Sequence, residues 1–110
     1  QAVLRRTLAH TGFDLRGRRV LELGVGIGAY VDFWRDMGAR EVSGVDLSSA
    51  AVAALRRRHP QGRFERCDIT VPGALAGLGR FDLVTALDVL YHVVDDDKLA
   101  QALANIGDCM

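Results

Sequence analysis

Val20-Leu21-Glu22-Leu23-Gly24-Val25-Gly26-Ile27-Gly28-Ala29-Tyr30 is the stretch on which the reading of this chain turns. Residues 19–23 are apolar and compatible with extended backbone. They follow the turn signal Arg16-Gly17 and form a run too short for a helix, so they predict a buried strand. Gly24, Gly26 and Gly28 then stand at every second position, which lets the backbone turn sharply and lets a ligand approach the main chain. A helix is expected from about Ala29, with its free first-turn N–H groups pointing at whatever binds there.

Two cofactor classes use a loop of this kind. Gly24-x-Gly26-x-x-Ala29 also satisfies the dinucleotide fingerprint of NAD or FAD proteins, and Asp46 stands where either class places an acid. Glu22 separates the two. A dinucleotide puts a pyrophosphate at this helix terminus, where a neighbouring carboxylate repels it and offsets the helix dipole. S-adenosylmethionine has no phosphate and carries a sulfonium and an ammonium group, which acidic surroundings suit.

Glu22-Leu23-Gly24-x-Gly26-x-Gly28 resembles the first motif of the class I S-adenosylmethionine-dependent methyltransferases. The likeness continues through Val45-Asp46-Leu47-Ser48, Cys67-Asp68-Ile69, and Phe81-Asp82-Leu83-Val84 leading to Leu90-Tyr91-His92-Val93, in the family's order and at roughly its spacing. Four motifs in register cover nearly all of the chain. The resemblance implies S-adenosylmethionine as cofactor and S-adenosylhomocysteine as product. It implies a binding set of Glu22, Gly24, Gly26, Gly28, Tyr30, Asp46, Leu47, Asp68, Ile69 and Leu87.

Several of these residues also admit a bland role. Asp46, at the end of the second strand, has two oxygens that can accept from both hydroxyls of a ribose, or it could cap the next helix; Ser48 is already placed to cap. Leu47 would then lie on one face of the adenine. Asp68 can accept from the exocyclic amine while a neighbouring N–H donates to a ring nitrogen, or it is an ordinary turn aspartate. Tyr30 could reach a methionine carboxylate or simply pack in the core. His92 follows the strand that in the family lies near the transferring methyl group. It is the only histidine placed to act as base toward a hydroxyl acceptor, and a structural imidazole is its rival role.

Away from these motifs the periodicity sketches the remaining elements. Residues 2–10 predict an amphipathic helix, with His10 as a favourable charge at its end. Tyr30, Val31, Trp34 and Met37 give helical spacing, with Trp34 in the core and Gly38 as the stop. Strands are expected at 41–46, 63–67 and 81–87, the third with Cys67 as a small core residue. Helices are expected at 50–58 and 71–78 and again from Asp95, the last with Leu99, Ala102, Leu103 and Ile106 inward. Arg56-Arg57-Arg58 reads as a basic helix end that suits the dipole, and His59 as a surface residue at the break before Pro60.

Alternating strands and helices predict an α/β fold. The expected architecture is a Rossmann-like, doubly wound parallel sheet of about four strands in the order 3-2-1-4, with helices on both faces. Candidate residues all fall at strand C-terminal ends, beside the point where the strand order reverses. The 110 residues make one domain with formal net charge zero, which gives no long-range field for nucleic acid or an anionic membrane. The apolar runs are too short for a membrane span, and with only two cysteines neither a disulfide framework nor a metal site is expected. The expected location is cytoplasmic.

The chain opens on Gln1 and ends soon after the last helix, which reads as the N-terminal portion of a methyltransferase domain whose later strands are absent. An exposed fourth strand could then pair with another copy. The expected function is methyl transfer to a small-molecule O, N or C nucleophile. A nicotinamide or flavin oxidoreductase and a non-catalytic cofactor-binding module are the alternatives.

Overall fold

A computed structural model describes residue 6 and residues 12–86 and 95–110. Strands β1 (Arg19–Leu23), β2 (Glu41–Asp46), β3 (Phe64–Arg66) and β4 (Leu83–Thr85) form one parallel sheet in the order β3-β2-β1-β4, as the motif order predicts. Its register sets Leu21 beside Ser43 on one flank and Val84 on the other. Three α-helices stand among the described residues: α1 (Ala29–Asp36), α2 (Ser49–Arg58) and α3 (Asp96–Asp108).

Side chains alternate across a strand, so each face of the sheet needs its own cover. Val20, Val42 and Phe64 pack on one side with Val31, Phe33 and Trp34 of α1 and Val52 and Leu55 of α2. Leu21, Leu23 and Val45 pack on the other with Ile69, Leu75, Leu78 and Phe81, and with Ala102 and Cys109 at α3 and its end. Residues 20–23 of β1 and 42–45 of β2 are accordingly buried without a break, as parallel strands covered on both faces must be.

Local departures from the sequence reading have identifiable causes. β3 and β4 are shorter than expected, and Leu87 lies outside the described residues. Where a helix was expected at 71–78, successive three-residue turns lead only to a short 3-10 helix, Ala76–Leu78. Pro72 lacks a donor, and Gly73 sits at φ +74, a value that right-handed helix cannot accommodate. Cys67 falls just past β3, half-buried against the second core cluster.

In α1 the buried set is Val31, Phe33 and Trp34, with Tyr30 and Met37 only packed against it. Phe33 meets Trp34 edge-on at 5.0 Å between centroids, a favoured aromatic geometry. In α3 the expected inward Leu103 is instead 51% exposed, and Asn105 is buried at 1%. Asp95 caps this helix by accepting from the N–H groups of Asp97 and Lys98.

The end of the sheet opposite the glycine loop is held by charge. Arg19 Nε donates to Glu41 Oε2 at 2.9 Å, and its guanidinium lies 4.8 Å from the Phe81 ring centroid. The Arg19 hydrogen bond holds the Glu41 carboxyl below its ordinary value. A carboxyl depressed in the folded state stabilises above its unfolded pKa, and that contribution disappears as pH falls through the folded value. At neutral pH, Glu41→Gln should therefore cost about 0.5 to 1 kcal/mol, discounted for a partly exposed pair. The difference from the parent should shrink in urea unfolding as pH falls through the lowered Glu41 value. A gap that stays constant with pH would assign the loss to packing. Among the described residues no helix is long and apolar enough to cross a membrane.

Candidate functional site

The glycine loop is hooked onto the end of β2. Gly24 N–H and Val25 N–H both donate to the Val45 carbonyl, at 2.8 and 3.3 Å, and Gly28 N–H closes a turn onto Val25 O at 2.9 Å. Gly28, at φ +87, starts α1 without a side-chain cap among the described residues. Gly28 also permits close packing, since a Cβ there would lie 2.6 Å from Leu55 Cδ2 and 2.8 Å from Arg58 Nη1. At Gly26 a Cβ would meet nothing within 4 Å among the described residues, so none of them closes that side of the loop.

A further glycine, unassigned by the sequence reading, supports the loop from below. A Cβ on Gly44 of β2 would come 2.2 Å from Val25 Cγ1, so the empty position makes room for the loop's buried Val25. The available signal was a glycine in the middle of a strand pattern, which often marks such an approach.

Asp46 accepts from Gly26 N–H through Oδ2 at 3.0 Å and from Ser48 N–H through Oδ1 at 2.8 Å. Ser48 Oγ accepts from Ala51 N–H and is the α2 cap, so Asp46 is not needed for that task. The carboxylate therefore joins the glycine loop to the β2 terminus. Leu47 beside it is 62% exposed. Glu22, 1% exposed, is the next-to-last residue of β1 and places a carboxylate beneath the loop.

Beyond β3, Asp68 is exposed, and its Oδ1 accepts from Thr70 Oγ1 at 2.6 Å and Thr70 N–H at 2.9 Å. Those bonds, the hydroxyl's foremost, hold its carboxyl below the usual range, so it is an acceptor at neutral pH. Ile69 follows it with its side chain 7% exposed, packed in the second core cluster. Tyr30 packs against the first core cluster. Leu87, His92 and the rest of the loop expected at 88–94, like the helix expected at 2–10 with His10 apart from residue 6, lie outside the described residues.

The basic run does more than end a helix. Arg58 Nη1 donates to Ile27 O at 2.8 Å and Nη2 to the Asp32 carboxylate, while His59 Nε2 lies 2.8 Å from Asp32 Oδ1. Arg56 reaches Phe64 O and Glu65. His59 is accordingly no free surface residue but partly buried against Asp32 in the first turn of α1. These bonds tie the end of α2 to the glycine loop and to the helix that follows it.

Glu22, Gly24, Gly26, Gly28, Asp46, Leu47 and Asp68 thus gather at the C-terminal ends of β1, β2 and β3. A parallel sheet of this topology binds ligands on that rim. Residues 20–110 match a family described as a methyltransferase domain. The chain is 38% identical over 95 residues to the ubiquinone biosynthesis O-methyltransferase of Alkalilimnicola ehrlichii, covering 84% of this chain and 38% of that protein. It is 32% identical over 106 residues to the protein of the same name from Thiobacillus denitrificans, covering 94% and 45%. Among solved structures it is similar to a TehB-like SAM-dependent methyltransferase from Corynebacterium glutamicum, at 25% identity and a TM-score of 0.74, covering 99% of this chain and 64% of that one. The chain spans 37–45% of the length of the curated relatives it matches.

Proposed function

Because the chain belongs to the class I S-adenosylmethionine-dependent methyltransferase family, we propose that it supplies the cofactor-binding part of an enzyme transferring a methyl group to a small molecule. The observation that carries this reading is the pairing, at one rim, of the Glu22 carboxylate beneath the loop with an Asp46 carboxylate hooked to Gly26. Glu22 beneath the glycine loop suits a cationic ligand and disfavours a pyrophosphate, and Asp46 suits a ribose. The curated relatives are named for O-methylation, which favours an oxygen on the acceptor.

Each residue then has a task. Gly24, Gly26 and Gly28 give close access to the main chain, and Glu22 supplies negative potential near the cationic centre. Asp46 accepts from the ribose hydroxyls, Leu47 covers one adenine face, and Asp68 accepts from the adenine amine, with the main chain of Ile69 beside it. Tyr30 borders the methionine end. When bound, S-adenosylmethionine supplies a methyl carbon activated by its sulfonium. The chain's own part is to hold the cofactor in one orientation, align the acceptor with it, and keep water out. His92 would take the proton of a hydroxyl acceptor.

Calorimetry on the full chain should show S-adenosylhomocysteine binding at least tenfold tighter than NAD, a difference of about 1.4 kcal/mol or more. Binding of NAD alone would return the glycine loop to the dinucleotide class.

A further inference from the structure

We propose that Asn105 of α3 is a positioning residue that sets the loop after β3 so that Asp68 selects adenine over other bases; this rests on the cofactor reading above. Asn105 stands at 1% exposure on the inward face of a helix that otherwise packs apolar side chains. Its amide has two donors and an acceptor oxygen with two lone pairs, and all are used. Nδ2 donates to Ile69 O and to Val71 O, each at 2.8 Å. Oδ1 accepts from Gln101 Nε2 at 2.9 Å and from Gly73 N–H at 3.3 Å.

The bonded main-chain groups belong to the segment directly after Asp68. Residues 69–73 lie outside regular helix or strand, so their buried polar groups need partners from elsewhere, and Asn105 provides three of them. The two carbonyls it holds flank Thr70. Thr70 in turn gives both its N–H and its hydroxyl to Asp68 Oδ1. Asn105 therefore fixes the residue that fixes Asp68, and Oδ2 of that carboxylate, bonded to no described residue, is the atom left for an exocyclic amine. A leucine of similar volume would satisfy the apolar cluster but would take away the Asn105 partners of Ile69 O and Gly73 N–H and leave Val71 O with Ala74 N–H alone among the described residues. The geometry ties the placement of an exposed acid to a buried amide on a distant helix.

The test is the affinity of the full chain for S-adenosylhomocysteine compared with its analogue lacking the adenine amino group. Parent protein should prefer the natural ligand about tenfold, one charge-assisted hydrogen bond's worth. Asn105→Leu should weaken S-adenosylhomocysteine about tenfold and the analogue less than twofold, so the preference collapses. Asp68→Ala should collapse it alone, and adding Asn105→Leu to Asp68→Ala should change it no further. Gln101→Met, which removes a single donor at a half-buried position, should lower the preference about twofold and serves if Asn105→Leu fails to fold. Equal weakening of both ligands in the folded variant would reduce Asn105 to fold support and overturn the inference. Parent protein that binds neither ligand would instead overturn the cofactor reading, and this inference with it.

Discussion

Asp46→Ala is expected to weaken S-adenosylhomocysteine binding by about 1.5 to 3 kcal/mol, roughly ten- to 150-fold. Two losses combine in that figure. The proposed bonds from both ribose hydroxyls to one carboxylate are charge-assisted and disappear together. In addition, Asp46 tethers Gly26 N–H at 3.0 Å and Ser48 N–H at 2.8 Å, so its removal frees the glycine loop from the β2 terminus. Asp46→Asn retains an acceptor for the loop while losing the charge, and it should fall between parent and alanine. Calorimetry, with urea unfolding to verify the fold, decides the matter. Undiminished affinity in a folded Asp46→Ala protein would confine Asp46 to tethering the loop.

Gly28→Ala should cost about 2 to 4 kcal/mol of stability, combining left-handed backbone strain with overpacking. The backbone at Gly28 has φ +87, and the new Cβ would meet Leu55 Cδ2 at 2.6 Å and Arg58 Nη1 at 2.8 Å. Leu55 is buried and cannot withdraw without opening the first core cluster. Arg58 can move, but only by giving up Ile27 O and Asp32. Gly26→Ala is the control, since its φ is also positive, at +53, but a Cβ there meets nothing within 4 Å among the described residues. It should cost about 1 to 2 kcal/mol, from strain alone. Equal losses at the two positions in urea unfolding would show that the contact between α1 and α2 carries no part of the effect.

Read from its sequence alone, the chain already disclosed its sheet and the centre of its site. Near-continuous apolar runs mark strands buried on both faces, the alternation with helices imposes parallel right-handed crossovers, and three glycines in five residues require a turn that few other residues could make. Ser48 was legible as the α2 cap because capping is local. Asp46 was legible because its position at a strand end follows from the strand itself.

Other features depended on residues far apart in the chain becoming neighbours. The Arg58 and His59 bonds to Asp32 cross more than twenty-five residues. They exist because α1 and α2 lie side by side on one face of the sheet, an arrangement that leaves no mark in the charge pattern of either helix. Ile69 follows the end of β3 in its motif, and its side chain is buried among residues from far along the chain in the second core cluster. Helical spacing put Leu103 inward, yet α3 buries Asn105 instead, since the carbonyls of Ile69 and Val71 lie within reach of its amide. Periodicity identifies which side chains can share a face. Only the packed structure decides which buried polar groups need a partner and which residue stands close enough to provide it.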